Sequence, residues 1–335
     1  MRVGGAAEWL LEPSTPEELR RAVCAAREEG FVLHVDGEIT RSNELVDRAR
    51  RDRDAPAPIR ILGGGANLIV DDGELPGVVI ATDRIRRMFR PEIGGEKQAL
   101  QAVDPSARTA PPSREEGLRF AAWCGVSMPK LVNAAAELGW SGVEGLAGVP
   151  GNVGGGVAMN AGGKWGAMWD VVERVLVIDE QGEMRELPRE ECAPRYRNGA
   201  LGANVVAAAL LRFRLDERSA VKERGRAFLL EKNRVQPVTA ASAGCVFKNP
   251  DRERSAGRSA GELIEQCDLK ARAVGDAMVS PLHANFIVNR GRACARDVLD
   301  LVSQVRAIVA EKTGIELELE AKIWRDARSR SDVAR

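Results

Sequence analysis

Between Gly142 and Gly166 the chain reads GVEGLAGVPGNVGGGVAMNAGGKWG, ten glycines in twenty-five residues, with Pro150 among them and Asn152 and Asn160 at or after the glycine runs. Glycine loses more conformational entropy on folding than any other residue. Such density therefore implies a backbone that needs positive φ or must approach something closely. Successive N–H groups in glycine turns form nests for anions, and phosphate or pyrophosphate is the usual guest. A glycine-rich surface loop is the plainer reading. Against it stands a second cluster, Gly63-Gly64-Gly65, in the first quarter of the chain.

With 335 residues the chain has room for two domains and a substantial core. Lys plus Arg and Asp plus Glu both number 49, so no net field recommends nucleic acid or an anionic membrane as a partner. The longest apolar run, Val205 to Leu211, is too short to span a bilayer, and MRVGGAAEWLLEP lacks the pattern of a secretory signal. A cytoplasmic protein is expected, with neither nucleic acid nor membrane as partner. Cys24, Cys124, Cys192, Cys245, Cys267 and Cys294 are scattered without a CxxC pair, and His34 and His283 are the two histidines. That pattern suits small buried thiols, not a zinc site or a disulfide framework. No GxSxG elbow accompanies either histidine, which argues against Ser-His-Asp hydrolysis.

Along the chain, Ala7 to Glu12 reads as a strand. Thr15-Pro16-Glu17-Glu18 starts a helix that should stop at Gly30. Asp36 to Pro58 is a charged surface excursion, and Ile59 to Leu62 is a buried strand leading into the triple glycine. A Rossmann unit would open a helix there, but ANLIV followed by DDGELPG reads as another strand and a turn. The phosphate-binding idea survives with strand-flanked loops as donors in place of a helix N-terminus. Gly77 to Thr82 and Arg119 to Cys124 are further strands, Pro91 to Gly117 looks like an insertion, and Ser127 caps a helix from Met128 to Leu138. Val171 to Asp179 and Val205 to Leu215 are β-rich, which suggests an α+β domain ending near residue 215.

The remainder changes character. Ser219 to Asn233 is a charged helix, a surface one or a lead-in to a second domain, and Ser259 to Cys267 is a short helix. In Ala295 to Thr313 the residues Val298, Leu301, Val302, Val305, Ile308 and Val309 share one face, and Gly314 stops the helix. Ile315 to Trp324 alternates with period two, predicting a strand with Glu318 and Glu320 aimed away from the core. Three short segments can carry chemistry. SAGCVFKNP presents Cys245 after Gly244, with Lys248 and Asn249 nearby; SPLHANFIVN places His283 and Asn285 at the entry to an apolar strand; Tyr196-Arg197 offers a guanidinium for a carboxylate or phosphate. Each residue also has an ordinary structural reading, as core thiol, satisfied histidine or surface ion pair.

In order, GGA from Gly4, LGGGANLIV, GVEGLAGVPGNVGGGVAMNAG, RYRNGAL, QPVTAASAGCVFKNP, HANFIVN and LELEAKIW resemble the UDP-N-acetylenolpyruvoylglucosamine reductase (UDP-N-acetylmuramate dehydrogenase) family over nearly the whole chain. The resemblance implies an α+β fold: an FAD-binding domain of the vanillyl-alcohol-oxidase (PCMH) type at 1–215, in two subdomains of about 1–90 and 91–215, then a smaller C-terminal α/β substrate domain at 216–325 and a disordered tail at 326–335. It also implies a monomer holding noncovalent FAD and no metal. NADPH is its co-substrate, and hydride goes to the enolpyruvyl group of UDP-N-acetylglucosamine enolpyruvate. With a single tyrosine, Tyr196, the chain fits the shorter class without a lid tyrosine.

By position the resemblance assigns Gly63, Gly64, Gly65, Asn67, Gly148, Gly151, Asn152, Gly154, Gly155, Asn160 and Gly162 to FAD. It assigns Tyr196, Lys248, Asn249, His283 and Asn285 to the substrate site, and Arg197 and Glu320 to the substrate carboxylate. The proton donor, usually serine, is here Cys245. Its ordinary pKa of about 8.5 makes it a stronger acid than a hydroxyl, with loss as thiolate beside Lys248 as the hazard. Ala66 replaces a common serine, removing a hydrogen bond worth about 0.5 to 1.5 kcal/mol. Lys164 to Met168 replaces the usual Ala-Tyr-Gly and following Glu. The rival readings are another flavin oxidase of the same fold and a noncatalytic nucleotide-sugar-binding relative.

Overall fold

The computed structural model describes residues 1, 3–33, 57–91 and 118–325. His34, nearly all of the charged excursion, the insertion after Pro91 and the tail lie outside these residues.

The first helix, Pro16–Glu28, begins where its sequence dictates. Thr15 Oγ1 accepts from Glu18 N at 3.1 Å, while the Glu18 carboxylate reaches one residue further back to Ser14 N at 2.8 Å. The helix ends ahead of Gly30, whose φ is +88°. Its buried face, Leu19, Val23 and Ala26, wedges between two sheets. One is a four-stranded parallel sheet in the order Ala7–Leu11, Leu75–Ala81, Pro58–Leu62, Val32–Leu33. The other is a five-stranded antiparallel sheet in the order Met184–Pro188, Val172–Ile178, Val205–Arg212, Arg119–Trp123, Met88–Phe89. Leu176, Ile178, Val205 and Ala207 meet the helix from one face of the second sheet. The opposite face carries Phe120, Val172, Val206 and Leu211 against Met128–Glu137 and Val153–Ala158. Covered on both sides, the strand Val205–Arg212 is buried at every residue through Leu211, so its sequence is a continuous apolar run and not an alternation.

The opening glycine stretch is not loop alone. It contains a 3-10 turn at Glu144–Leu146 and a short helix at Val153–Ala158. Two cations of the helix Arg218–Val235 hold it. Glu144 accepts from Gly142 N at 2.6 Å, Ser141 Oγ at 2.9 Å and Arg224 Nη2 at 2.9 Å. Lys232 Nζ donates to Gly145 O at 3.1 Å and Ala147 O at 2.6 Å. The charged helix of the sequence reading is thus a clamp on the glycine segment as well as a surface element.

A second antiparallel sheet, Ala241–Cys245, Phe286–Asn289, Ala277–Val279, Ala273–Val274, packs with the helices Ala260–Gln266 and Ala295–Thr313. The long helix has its expected face, with Val298, Leu301, Val302, Val305 and Val309 buried, and Gly314 caps it at φ +70°. The expected strand after it is corrected: only Lys322–Trp324 is regular strand, paired in parallel with Leu68–Val70. The interruption has a local cause. Glu320 N and Ala321 N both donate to Val246 O, at 2.8 and 3.2 Å, which breaks the ladder but not the alternation: Ile315, Leu317, Leu319, Ala321 and Ile323 all pack on the C-terminal core. Trp324 stays on the glutamate face and is buried there against Leu75 and Val79 of the parallel sheet. Through that strand pair Ile69 joins the core of the C-terminal unit, where Met1 also packs. No helix among the described residues is long and apolar enough to cross a membrane.

Burial pulls the Lys232 ammonium down to about 8 from 10.5. Lys232→Met strips Gly145 O and Ala147 O of their donor and is expected to cost about 1 to 3 kcal/mol in urea unfolding at neutral pH. Because the folded value is the lower one, this residue's contribution to stability should rise as pH climbs from about 8 toward 10.5. That rise is read as a change in the difference between wild type and the Met variant, and a constant difference across the window contradicts it.

Candidate active site

The two glycine clusters meet backbone to backbone. A Cβ on Gly64 would stand 2.8 Å from Gly151 Cα and 3.1 Å from Asn152 Oδ1, so no side chain fits at Gly64. Other glycines of the region have similar protein-internal reasons. A Cβ on Gly154 would meet Cys124 Cβ at 2.7 Å and one on Gly162 would meet Gly166 O at 2.5 Å, while Gly148 and Gly151 hold φ of +76° and +98°. Gly63 and Gly155 differ, because a Cβ there would touch nothing within 4 Å. At those two positions the reason for glycine lies with whatever approaches the backbone.

Hydrogen-bond accounting agrees. Among the described residues no protein acceptor takes the N–H groups of Gly63, Gly64 and Gly65, the last with φ of +62°. The first turn of Val153–Ala158 is spent internally, since Val153 N and Gly154 N donate to Val126 O and Cys124 O, each at 2.8 Å. Asn152, 9% exposed, has no side-chain partner among the described residues. Free N–H groups in a glycine turn, an unpartnered buried amide and open space over Gly63 and Gly155 fit a diphosphate-bearing cofactor such as FAD.

Two of the asparagines assigned to the cofactor act as struts. Asn67 Nδ2 donates to Glu320 O at 3.0 Å, and Asn67 O accepts from Lys322 N at 2.9 Å. Asn160, at φ +44°, donates through Nδ2 to Arg195 O at 3.0 Å. Arg195 and Asn198 in turn exchange both backbone hydrogen bonds, at 2.7 and 3.1 Å, which puts Tyr196 and Arg197 at a two-residue hairpin tip. Arg197 takes φ of +57°, the left-handed conformation that the second central position of a type II turn demands.

From that tip Arg197 Nε reaches Glu320 Oε1 at 2.5 Å. Their side chains are 18% and 11% exposed. Burial pushes the Glu320 carboxyl above its ordinary value, and Arg197 only partly restores it. For Arg197, burial pulls the other way, but Glu320 outweighs it and the guanidinium is held more firmly charged. Glu318, two residues earlier, is the contrast: it is 63% exposed and bonded to Lys248 Nζ at 2.9 Å.

Cys245 arrives by a bulge. In the pairing of Ala241–Cys245 with Phe286–Asn289, Ser242 faces Val288 and Cys245 faces Phe286, so one extra residue is accommodated, and Gly244 takes φ of +76°. Half-buried, the thiol is pushed up to about 12, by burial first and by the Glu320 carboxylate second, with Arg197 opposing. The hazard of thiolate loss beside Lys248 is thereby reduced. Lys248 is engaged by Glu318, and the thiol keeps its proton across the physiological range. Cys24 is also half-buried and Cys294 exposed, so the buried-thiol reading holds for Cys124, Cys192 and Cys267.

Tyr196, Arg197, Asn160, Asn249 and Lys164 line a cavity of ≈ 430 Å³. Asn249 also caps the helix Ala260–Gln266, accepting from Ala260 N at 3.1 Å. The other three expected substrate residues are engaged within the protein, Lys248 by Glu318. Asn285, 3% exposed, accepts from Phe247 N at 2.9 Å and donates to Phe247 O at 2.8 Å, clipping the loop after Cys245. His283 Nδ1 accepts from Asn285 N at 3.2 Å; its ring packs on Phe286 and beside Gly261, and burial lowers its proton affinity. Lys164 was not singled out as a lining residue, although GG-KW-G has the spacing of a two-residue hairpin. Among the described residues no group of three His, Cys, Asp or Glu could hold a metal ion.

Residues 236–324 match the family described as UDP-N-acetylenolpyruvoylglucosamine reductase, C-terminal domain, and residues 38–188 match the FAD binding domain. A UDP-N-acetylenolpyruvoylglucosamine reductase of Moorella thermoacetica is 35% identical over 324 residues, covering 96% of this chain and 89% of the relative. UDP-N-acetylenolpyruvoylglucosamine reductase 2 of Symbiobacterium thermophilum is 36% identical over 326 residues, with 97% and 88% covered. The crystal structure of the reductase from Thermus caldophilus aligns with a TM-score of 0.66 at 34% identity, over 96% of this chain and 94% of that one.

Asn285→Ala leaves Phe247 N–H and C=O without partners in a buried setting and is expected to lower stability by about 2 to 4 kcal/mol. Urea unfolding of the variant checks this, and a loss under about 0.5 kcal/mol contradicts the clip.

Proposed function

The chain belongs to the UDP-N-acetylenolpyruvoylglucosamine reductase family, and from that premise we propose that Arg197, Glu320 and Cys245 carry its chemistry. It is a flavin-dependent oxidoreductase that uses NADPH to reduce the enolpyruvyl group of UDP-N-acetylglucosamine enolpyruvate to UDP-N-acetylmuramate, a step of peptidoglycan synthesis. FAD, when bound, supplies the hydride carrier between the two substrates. Gly63, Gly64, Gly65, Asn152 and Gly155 would hold it, by the free N–H groups, the unpartnered amide and the open space described above.

Adding hydride to the enolpyruvyl double bond places negative charge next to the substrate carboxylate. A preorganised cation lowers the energy of that charge far more than a solvated one does. Arg197 supplies it, and Glu320 keeps the guanidinium oriented at a hairpin tip whose backbone is already strained into place. The carbon that bears the charge then needs a proton, and Cys245 holds one within the electrostatic reach of both partners. Tyr196 and Asn249 face the substrate. The convergence of Arg197, Glu320 and Cys245 from three separate segments is the observation that carries this reading.

The FAD-binding part is taken as residues 1–215 and the substrate part as 216–325, with the Leu68–Val70 and Lys322–Trp324 strand pair crossing between them. His283 lies against Phe286 and Gly261, away from the glycine cradle, which favours noncovalent FAD over the covalent attachment found in oxidases.

The purified protein should be yellow, bleach with NADPH and recover its colour on addition of UDP-N-acetylglucosamine enolpyruvate. Recovery with oxygen alone at a comparable rate makes it an oxidase, and a colourless protein that cannot be reconstituted with FAD makes it a binding module. Cys245→Ser should retain appreciable turnover. Cys245→Ala should still bleach but lose turnover by about 100-fold or more, the range for a general acid, and turnover at the wild-type rate would falsify the assignment.

A further inference from the structure

The stretch in which this chain departs from its family builds a hairpin. Gly162–Gly163 and Gly166–Ala167 pair antiparallel, with Gly163 opposite Gly166, so Lys164 and Trp165 form the two-residue tip. Trp165 anchors it. Its ring stacks on Phe228 with centroids 5.0 Å apart and planes at 19°, and Lys232 Nζ stands 5.6 Å from the ring centroid. Its carbonyl runs so close to Gly145 that a Cβ there would sit 2.2 Å away. The tip is fixed from three sides by Trp165, while Lys164 lines the cavity with its Nζ 5.4 Å from the Trp165 ring centroid.

Lys164 lines the ≈ 430 Å³ cavity together with Arg197, and no carboxylate is among the described lining residues. The two cations are held very differently. Arg197 is bound at 2.5 Å by a carboxylate that is 11% exposed. Lys164 has one hydrogen-bond partner, Glu231 Oε1 at 3.2 Å, in a pair whose side chains are 72% and 42% exposed. An exposed pair of this kind contributes little, so an incoming anion can draw the ammonium away at small cost. A diphosphate, with one negative charge on each phosphorus, offers several acceptor oxygens and two charges against the single charge of a solvated carboxylate.

We propose that Lys164 is a phosphate-binding residue of the cavity, taking a diphosphate of the incoming ligand in exchange for Glu231. The proposal rests on the reading of this cavity as the substrate site. Both co-substrates carry a diphosphate, the sugar nucleotide and the nicotinamide dinucleotide, and the test separates them.

Holoenzyme of the full chain is titrated calorimetrically with UDP-N-acetylglucosamine and, separately, with NADP⁺. Lys164→Met should weaken one of the two by about tenfold, the scale of a charge-assisted hydrogen bond at a partly exposed site, and Lys164→Arg should stay within about threefold of wild type. Weakening for the first ligand assigns the site to the sugar nucleotide, and weakening for the second assigns it to the dinucleotide. Glu231→Gln should act in the opposite direction, tightening the same ligand by about two- to fivefold, because the competing acceptor is gone. A pair that merely braced the hairpin would give losses in both variants. Binding of both ligands unchanged within about twofold in Lys164→Met, or weakened in Glu231→Gln, overturns the proposal. Wild-type turnover is a separate readout: a protein that binds UDP-N-acetylglucosamine through Lys164 yet never reduces the enolpyruvyl ether refutes the functional reading and leaves this one standing.

Discussion

The closest approach on which the site depends is between two stretches of bare backbone. With 2.8 Å from the position of a Gly64 Cβ to Gly151 Cα, the glycine clusters form one surface instead of two neighbouring loops. Everything downstream inherits that contact. The strand Leu68–Val70 leaves the first cluster and pairs with Lys322–Trp324, so the cradle and the segment bearing Glu320 are in register. Asn67 closes the gap by donating to the Glu320 carbonyl. A side chain at Gly64 would therefore disturb the carboxylate partner of Arg197 as well as the glycine crossing, through fewer than ten residues of continuous chain.

The ion pair at the end of that path is expensive to keep. Withdrawing two charges from water costs several kcal/mol per ion, which mutual attraction offsets only when the geometry is good. A non-glycine residue at positive φ adds a cost of order 1 kcal/mol. Arg197 carries both burdens, with φ of +57° and a 2.5 Å contact to a nearly buried carboxylate. Such costs persist where charge must be ready before the substrate arrives. The same field sets the behaviour of Cys245. Near Glu320 and half-buried, its thiol moves up to about 12 and keeps its proton.

Local rules made much of the fold legible from sequence. Thr15, Ser127 and Ser259 cap their helices, Gly30 and Gly314 end theirs, and Gly244 makes the bulge that presents Cys245. What could not be read depends on partners distant in the chain. The period-two pattern of Ile315 to Trp324 is kept, but the regular strand is interrupted where two N–H groups share Val246 O, and nothing in the pattern announces that acceptor. Likewise, His283 and Asn285 stand out as polar residues in an apolar run, but polarity alone does not say which way they turn. Asn285 turns inward because Phe247 offers both a donor and an acceptor.

The helix Arg218–Val235 shows why a charged sequence is not necessarily a solvated one. Its weak amphipathic pattern reads as surface, yet Arg224, Phe228 and Lys232 recur every four residues and so share one stripe. That stripe meets three successive features of the glycine segment: the Glu144 carboxylate, the Trp165 ring, and the Gly145 and Ala147 carbonyls. Because the partners are a carboxylate, a ring and carbonyls, no hydrophobic periodicity records the contact. One turn from the stripe, Glu231 holds Lys164 at the cavity mouth. A helix that follows the flavin-binding part in sequence thus fixes the loop that this part must present. The start of the glycine segment and the Lys164 hairpin are thus braced by one helix.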